Sequence, residues 1–435
     1  MHSLTNKELL LYLIFSSYFL KSIFSFIIAF KNINYAIVSL MNYIDLLKNN
    51  KNIRILTLVQ FIVYFGAWFS QTGVFTLLVS LNAPTWATAT SAMLAFLPGV
   101  LLAPINGVIV EKNKPKKLLL SMISIELVSI FCLIFVTSLS MLWLLFILIF
   151  VRLCVASIYF QAEMSLLAKI LNPKELKLAN EMHSVIWAVS YTASMASAGI
   201  FINFFGIKAA FLFDCCLIII GILFLTKLHI PHFKQKIQNK FFILIKEGFL
   251  YVLQNKIILH LIILHAFIGL TAYETLVTLL AQHEYKEVLS AALVIGFLNA
   301  IRALALAFGP IFLSKITNNK NVFFLYLGQG LGIILWALTQ FNFYISFIGL
   351  IAAGFCTSSL WAYTYTMIQK NCDKTYYGRV IAYTDMVYLS FSALISQLMG
   401  LLFEQGFKLA IITALLGMVF IFAAFYWRWF NKKYL

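Results

Sequence analysis

Charge is what this sequence lacks. Asp, Glu, Lys and Arg make up 11% of its 435 residues, against about 25% in soluble domains. Acids are the scarcer sign, 15 Asp+Glu against 32 Lys+Arg. With 62% hydrophobic residues, a water-soluble globule is excluded. Paired cysteines are missing too. Cys132, Cys154, Cys215, Cys216, Cys356 and Cys372 show no paired spacing, and all but Cys372 fall inside apolar runs. They read as small buried hydrophobes, not as bridges or metal ligands. No Gly-x-x-x-x-Gly-Lys-Ser/Thr, His-Glu-x-x-His or Gly-x-Ser-x-Gly occurs, so neither ATP-driven pumping nor hydrolase or metalloenzyme chemistry has a scaffold. No cofactor and no metal are expected. A net charge of +17 would suggest nucleic acid for a soluble chain; in a membrane protein it belongs to cytoplasmic loops, and no nucleic-acid partner is expected.

What is present is aromatic and apolar: 42 Phe, 20 Tyr and 8 Trp, suited to a lipid-facing surface with interfacial belts. Apolar runs recur at 53–80, 85–110, 118–137, 141–163, 179–203 and 209–226. A second set follows at 256–280, 288–313, 322–339, 343–368, 379–402 and 408–428. Each is near the ~20 residues that one bilayer crossing needs. They are too long and too evenly apolar for barrel strands, and lipid accepts only helices or closed barrels. The expected fold is an all-α membrane protein with twelve transmembrane helices in two six-helix pseudo-repeats.

Orientation follows from the basic residues. With the chain before residue 53 inside, the outer loops hold only Lys208, Lys286 and Lys408, the bias of the positive-inside rule. Both ends of the twelve-helix body are then cytoplasmic. The longest break, 227–255, is basic and polar. It reads as a cytoplasmic linker between an N-terminal bundle, 41–226, and a C-terminal bundle, 256–435. Faint repetition accompanies the split. Ala103-Pro104 echoes Gly309-Pro310, Lys114 echoes Lys320, and Gly206-Ile207-Lys208 echoes Gly406-Phe407-Lys408, the mark of a duplicated transporter.

Residues 1–40 form a hydrophobic N-terminal extension outside this plan. Leu9–Phe30 is long enough to span but has Lys21 at its centre, a cost of about 2.5–3.5 kcal/mol. It reads as a thirteenth span, a surface anchor, or sequence upstream of a start at Met41. The last is favoured, because Met41-Asn-Tyr-Ile-Asp-Leu-Leu-Lys is an ordinary cytoplasmic lead-in. No small-residue cleavage pattern follows, so a signal peptide is not expected.

The loop after the second run reads Gly107-Val-Ile-Val-Glu111-Lys112-Asn-Lys114-Pro115-Lys116-Lys117. It resembles the signature loop of the major facilitator superfamily, Gly-x-x-x-Asp-Arg-x-Gly-Arg-Lys, with Glu111-Lys112 replacing the acid-base pair and Lys116-Lys117 shifted by one position. Gly107 would permit close helix contact, and Glu111 could dock at the positive end of a neighbouring helix. Val151-Arg152-Leu-Cys-Val-Ala156 is similar to that family's Arg-x-x-x-Gly element. Ala168–Asn180, Gln369 and Gly378-Arg379-Val380 complete a likeness, covering about 50–430, to the branch with macrolide and multidrug efflux proteins, siderophore exporters and lysophospholipid transporters. Ser194–Gly199 departs from the Gly-Pro-rich element of many proton antiporters. The resemblance implies a proton-driven exporter whose Glu111 and basic loop lock against Gly378 and Arg379 when the inner side is closed.

Charges inside apolar runs are functional candidates. At 1.5 Å per residue, Glu126 and Arg152 lie about 12 Å and about 14 Å from the inner face, so a buried pair is expected. Arg302 and Asp385, about 16 Å and about 12 Å from it, make a second expected pair. Glu274 is expected to be unpaired, sharing a face with His260, Phe267, Thr271 and Thr278 and binding a proton or a cationic substrate. Asp214, nearer the outer interface, is expected to be solvated.

Polar-aromatic stripes complete the reading. Gln60, Tyr64, Trp68 and Gln71 share one face of the first run; Arg152, Tyr159 and Glu163 one of the fourth. Ser184, Trp187, Tyr191 and Ser194 share a face of the fifth, and Thr357, Trp361 and Tyr365 one of the tenth. Such walls suit amphipathic, poorly hydrated molecules. The expected function is export of small drug- or macrolide-like molecules across a bacterial inner membrane, with protons as coupling ion. A lysophospholipid or siderophore cargo is the alternative, and oligomeric state is left open, a monomer being plausible.

Overall fold

The structure, a computed structural model, describes residues 43–230, 241–313, 316–373 and 375–435. The extension at 1–40 and the start at Met41 lie outside the described residues. Every regular element described is helical.

Local chemistry sets the helix ends. α1 (Lys51–Ser80) starts at Asn50, whose side chain accepts the Ile53 N–H at 3.2 Å. The chain turns at Asn82, φ 49°, a residue type that tolerates the left-handed region. α2 (Thr85–Leu94) stops and α3 (Leu97–Lys112) begins anew at Pro98, which has no N–H to continue the ladder. α4 (Pro115–Leu133) and α6 (Pro173–Phe205) both open on proline, and α6 carries a capping box between Asn172 and Glu175. Between them runs α5 (Leu142–Ile170), and α7 (Ile207–Thr226) follows. Further along come α8 (Phe241–Gln254), which falls within the stretch 227–255, and then α9 (Lys256–Ala266), α10 (Glu274–Leu279) and α11 (Ala291–Leu313). The remainder are α12 (Val322–Thr339), α13 (Phe343–Phe355), α14 (Thr357–Asn371), α15 (Tyr377–Glu404) and α16 (Leu409–Tyr434).

Eleven helical runs among the described residues are long and apolar enough to cross a membrane, making this a multi-pass, all-α membrane protein. Lys256–Glu284 and Phe343–Asn371 cross as interrupted helices. α4 is the one sequence-expected span outside these eleven. It has 19 residues, and any 18 of them include Lys116, Lys117 and Glu126.

α1 packs on α6 and α7, α4 on α5 and α7, and α3 on α5; α12 packs on α13 and α16, and α9 on α14 and α15. Contacts between α1–α7 and α9–α16 run along α6 against α11 and along α2 and α3 against α15. At the lysine-poor end these seams are tight. A Cβ on Gly199 would sit 2.5 Å from the Ala292 carbonyl oxygen, and one on Gly400 would sit 2.4 Å from the Ala89 Cβ. At the lysine-rich end no described atom lies within 4 Å of a Cβ built on Gly107 or Gly378. The close contact expected of Gly107 is thus made by other glycines, at the opposite end. The two groups of helices thus touch closely at the lysine-poor end, while Gly107 and Gly378 at the lysine-rich end face open space.

Candidate functional site

Three ionic side chains meet behind α1. Arg152 on α5, Glu126 on α4 and Asp214 on α7 are 3%, 2% and 0% exposed. The Arg152 Nε donates to Glu126 Oε1 at 3.5 Å, while Nη2 donates to Asp214 Oδ2 at 3.4 Å and to the Ala67 carbonyl at 3.1 Å. The pair expected from matched depths forms. Asp214, expected to be solvated, is buried instead, because a guanidinium has five N–H donors and serves more than one carboxylate. Gly66 makes the room: a Cβ there would fall 2.0 Å from Asp214 Oδ1. One cation faces two carboxyl groups, so with both ionised the cluster would carry a charge of −1, which one added proton cancels.

The triad touches the backbone of α1 where that helix turns its other face to an aromatic wall. Ser194 of α6 donates to the Phe65 carbonyl at 2.8 Å, and Arg152 takes the Ala67 carbonyl. The next residue, Trp68, meets Tyr191 edge-on at 4.7 Å, and Tyr191 stacks on Trp187 at 5.4 Å. Tyr191 in turn packs with Ala303 of α11, so this wall lies on the seam between the two groups.

The seventh apolar run is broken. α9 ends at Ala266, a 3-10 turn spans Phe267–Thr271, and α10 starts at Glu274. Irregular backbone at membrane depth must find partners. Arg302 of α11 supplies one, donating Nη2 to the Thr271 carbonyl at 2.5 Å and Nη1 to Glu274 Oε1 at 3.4 Å, with its guanidinium 4.9 Å above the Tyr273 ring. Two expectations are corrected by this turn. Glu274 is paired, and Arg302 pairs with it and not with Asp385. Asp385 sits half-buried on α15, beside Tyr365. Nor does His260 share a face with Glu274: its Nδ1 meets the Tyr426 hydroxyl at 2.5 Å, among Trp429, Phe430 and Tyr434 of α16.

Two polar nodes accompany these charges. Gln60 Nε2 meets His183 Nδ1 at 2.5 Å, beside Tyr64, Tyr159 and Glu163. On the other side, fully buried His265 meets Thr364 Oγ1 at 2.8 Å, with the rings of Trp361, Tyr365 and Tyr388 each at 5.6 Å. Trp361 and Tyr365 stack at 4.7 Å. Thr364 also donates to the Leu360 carbonyl at 2.8 Å, which leaves its oxygen free to accept from His265 Nδ1, while His265 Nε2 has no hydrogen-bond partner among the described residues. Gln71 is buried but joins neither node. Sequence reasoning passed over His183 and His265; the one signal for His265 was an imidazole inside Ile-Ile-Leu-His-Ala-Phe.

At the lysine-rich end, Lys112 and Lys117 are exposed. Lys116 donates to the carbonyls of Thr226 and Leu228 at 2.7 and 2.8 Å, capping the end of α7. The Glu111 side chain lies outside the described residues. Arg379 pairs with Glu247 of α8 at 3.3 Å and covers the Tyr376 ring at 4.6 Å. Tyr251 of α8 stacks on Tyr376 at 4.2 Å. In the adjoining turn, the Thr375 N–H bonds to Asp373 at 2.9 Å and holds that carboxyl below its usual range.

Known proteins sharpen the picture. The Major Facilitator Superfamily model matches residues 56–397, whereas no curated protein matches the sequence. Among solved structures, the nucleoside transporter NupG is 14% identical with a TM-score of 0.67, over 88% of this chain and 99% of that one. The POT family transporter PepTSo is 13% identical with a TM-score of 0.69, over 88% and 98%. A POT family transporter in complex with 5-aminolevulinic acid is 14% identical with a TM-score of 0.69, over 87% and 96%. Such distant likeness speaks for the fold alone. With the family match spanning most of the helices described, the chain belongs to the Major Facilitator Superfamily and is a secondary transporter, not an enzyme.

Proposed function

We propose that this transporter exports amphipathic, drug- or macrolide-like molecules across a bacterial cytoplasmic membrane, driven by proton entry. The observation that carries the reading is the charge-unbalanced Arg152 triad, joined through the Ala67 carbonyl to Trp68 and the aromatic wall. A proton arriving at the triad changes the charge that Arg152 must balance, and with it the hold on α1. Trp68, Trp187, Tyr191, Trp361 and Tyr365 present ring faces to a poorly hydrated cargo. In this reading the lysine-rich end is the cytoplasmic one, so the free space beside Gly107 and Gly378 faces the cytoplasm and the tight seams face outward.

The architecture proposed with it counts α4 as the twelfth span and divides the body at the 227–255 linker, both ends cytoplasmic. Matched positions support two repeats. Gln60 lies nine residues after Lys51 and His265 nine after Lys256; Glu163 lies 21 after Leu142 and Thr364 21 after Phe343. The two nodes thus occupy equivalent heights on the first and fourth spans of each half. Gly206 and Gly406, with φ of 82° and 89°, make equivalent turns before the last span of each half. In the closed-inside state, Glu111 and the basic loop would lock against Gly378 and Arg379.

A dye and drug panel in everted vesicles, with and without an imposed proton gradient, tests this directly. Gradient-dependent accumulation of amphipathic compounds is expected. Transport confined to labelled lysophospholipid or to siderophores, or indifference to the gradient, overturns the export reading.

A further inference from the structure

The paired state of Glu274 removes the carboxylate first expected to meet a positively charged cargo, and another takes its place. Glu163 on α5 is 1% exposed, and its Oε2 has no hydrogen-bond partner among the described residues. No described lysine or arginine pairs with it: Arg152, about 16 Å away along the same helix, is held by Glu126 and Asp214. The hydroxyl of Tyr159, 2% exposed, is also without a partner beside it. A buried carboxylate in this setting needs a counter-charge or a proton.

The Gln60 side chain hydrogen-bonds the same carboxyl, and aromatic rings cluster around His183, the partner of Gln60. The His183 ring meets Tyr64 edge-on at 5.7 Å and lies 5.4 Å from Phe160. Ring faces attract cations as well as covering apolar groups. Phe160 is 43% exposed and His183 is part-exposed. Glu163 lies about 10 Å along α5 from its lysine-rich end, the end at which Gly107 and Gly378 face open space.

We propose that Glu163, with Gln60, Tyr159 and His183, binds the ammonium group of an amphipathic organic cation entering from the lysine-rich end. The proposal rests on the reading of this protein as a carrier of amphipathic molecules and adds the charge of the cargo. It separates the roles of the buried acids: Glu126 and Asp214 answer to Arg152, Glu274 answers to Arg302, and Glu163 answers to the cargo.

The test uses two fluorescent probes with one skeleton, neutral diphenylhexatriene and its permanently cationic trimethylammonium derivative, titrated into the purified full-length protein. Wild type should bind the cation at least tenfold more tightly than the neutral probe. Glu163→Gln should erase that preference while leaving neutral-probe affinity within twofold, and Glu163→Asp should keep part of it. Equal wild-type affinities overturn the proposal without recourse to any variant. So does a preference that survives in Glu163→Gln, or an equal loss for both probes, which would mark a packing role. Vesicle transport separates the two readings: selective cation binding without movement sinks the export reading alone, and movement without cation preference sinks only this site.

Discussion

Two buried arginines invite comparison. Each donates to a main-chain carbonyl, Arg152 to Ala67 on α1 and Arg302 to Thr271 in the turn between α9 and α10. They differ in company. Arg152 faces two carboxylates and lies behind an unbroken α1. Arg302 faces one, sits over the Tyr273 ring, and binds the carbonyl freed by a helix break. The second cluster has one acid for one base and braces irregular backbone; the first has two acids for one base, and it is there that the proposed function puts the coupling proton. A buried ion pair is weak evidence of stability, but removing one partner is costly, and the two clusters should respond differently to such removal.

The largest effect is expected from Arg152→Met, which strands two buried carboxylates. A loss of about 3–5 kcal/mol should appear in thermal unfolding of the detergent-solubilised protein, and only Glu126→Gln together with Asp214→Asn should recover most of it. Arg302→Met strands one carboxylate, itself 14% exposed, so about 2–3 kcal/mol is expected, recovered by Glu274→Gln alone. Should a single neutralisation rescue Arg152→Met, the contrast between the clusters disappears. Next in size, Gly199→Leu should cost about 1–3 kcal/mol by overpacking and raise cysteine-labelling at the lysine-poor end, where α6 meets α11. Trp361→Ala removes a stacked ring and should weaken amphipathic cargo binding by about 0.5–1.5 kcal/mol, about two- to tenfold in Kd. The smallest effect belongs to Asp373. Its carboxyl is held below the usual range, so its hold on the turn is complete above that range and fades as pH falls through the lowered value. Asp373→Asn should remove that acid dependence of the Tyr251–Tyr376 contact, read by cysteine cross-linking.

Spans were legible in the sequence because lipid demands long apolar runs, and those runs are unmistakable here. The Glu126–Arg152 pair was legible because both residues sit on unbroken helices, so counting residues measures depth. The same counting failed at Arg302. The run Ile-Ile-Leu-His-Ala-Phe-Ile-Gly-Leu-Thr-Ala-Tyr-Glu is evenly apolar and hides a break; only Gly269 hints at it. A Cβ there would approach the Tyr388 carbonyl oxygen to 2.6 Å, a tertiary fact that no local pattern encodes. Asp214 was misjudged for a related reason, since pairwise depth matching cannot foresee that one guanidinium holds two acids. Glu163 was visible on its stripe, yet that no described cation pairs with it is a tertiary fact that no stripe encodes.

The most direct test of the proton's place compares exchange with gradient-driven accumulation in proteoliposomes of purified Glu126→Gln and Asp214→Asn. Exchange of unlabelled for labelled cargo across the bilayer should persist in both, while accumulation driven by a proton gradient is lost. If either variant still accumulates cargo against its gradient at the wild-type level, the Arg152 triad is not where the proton acts.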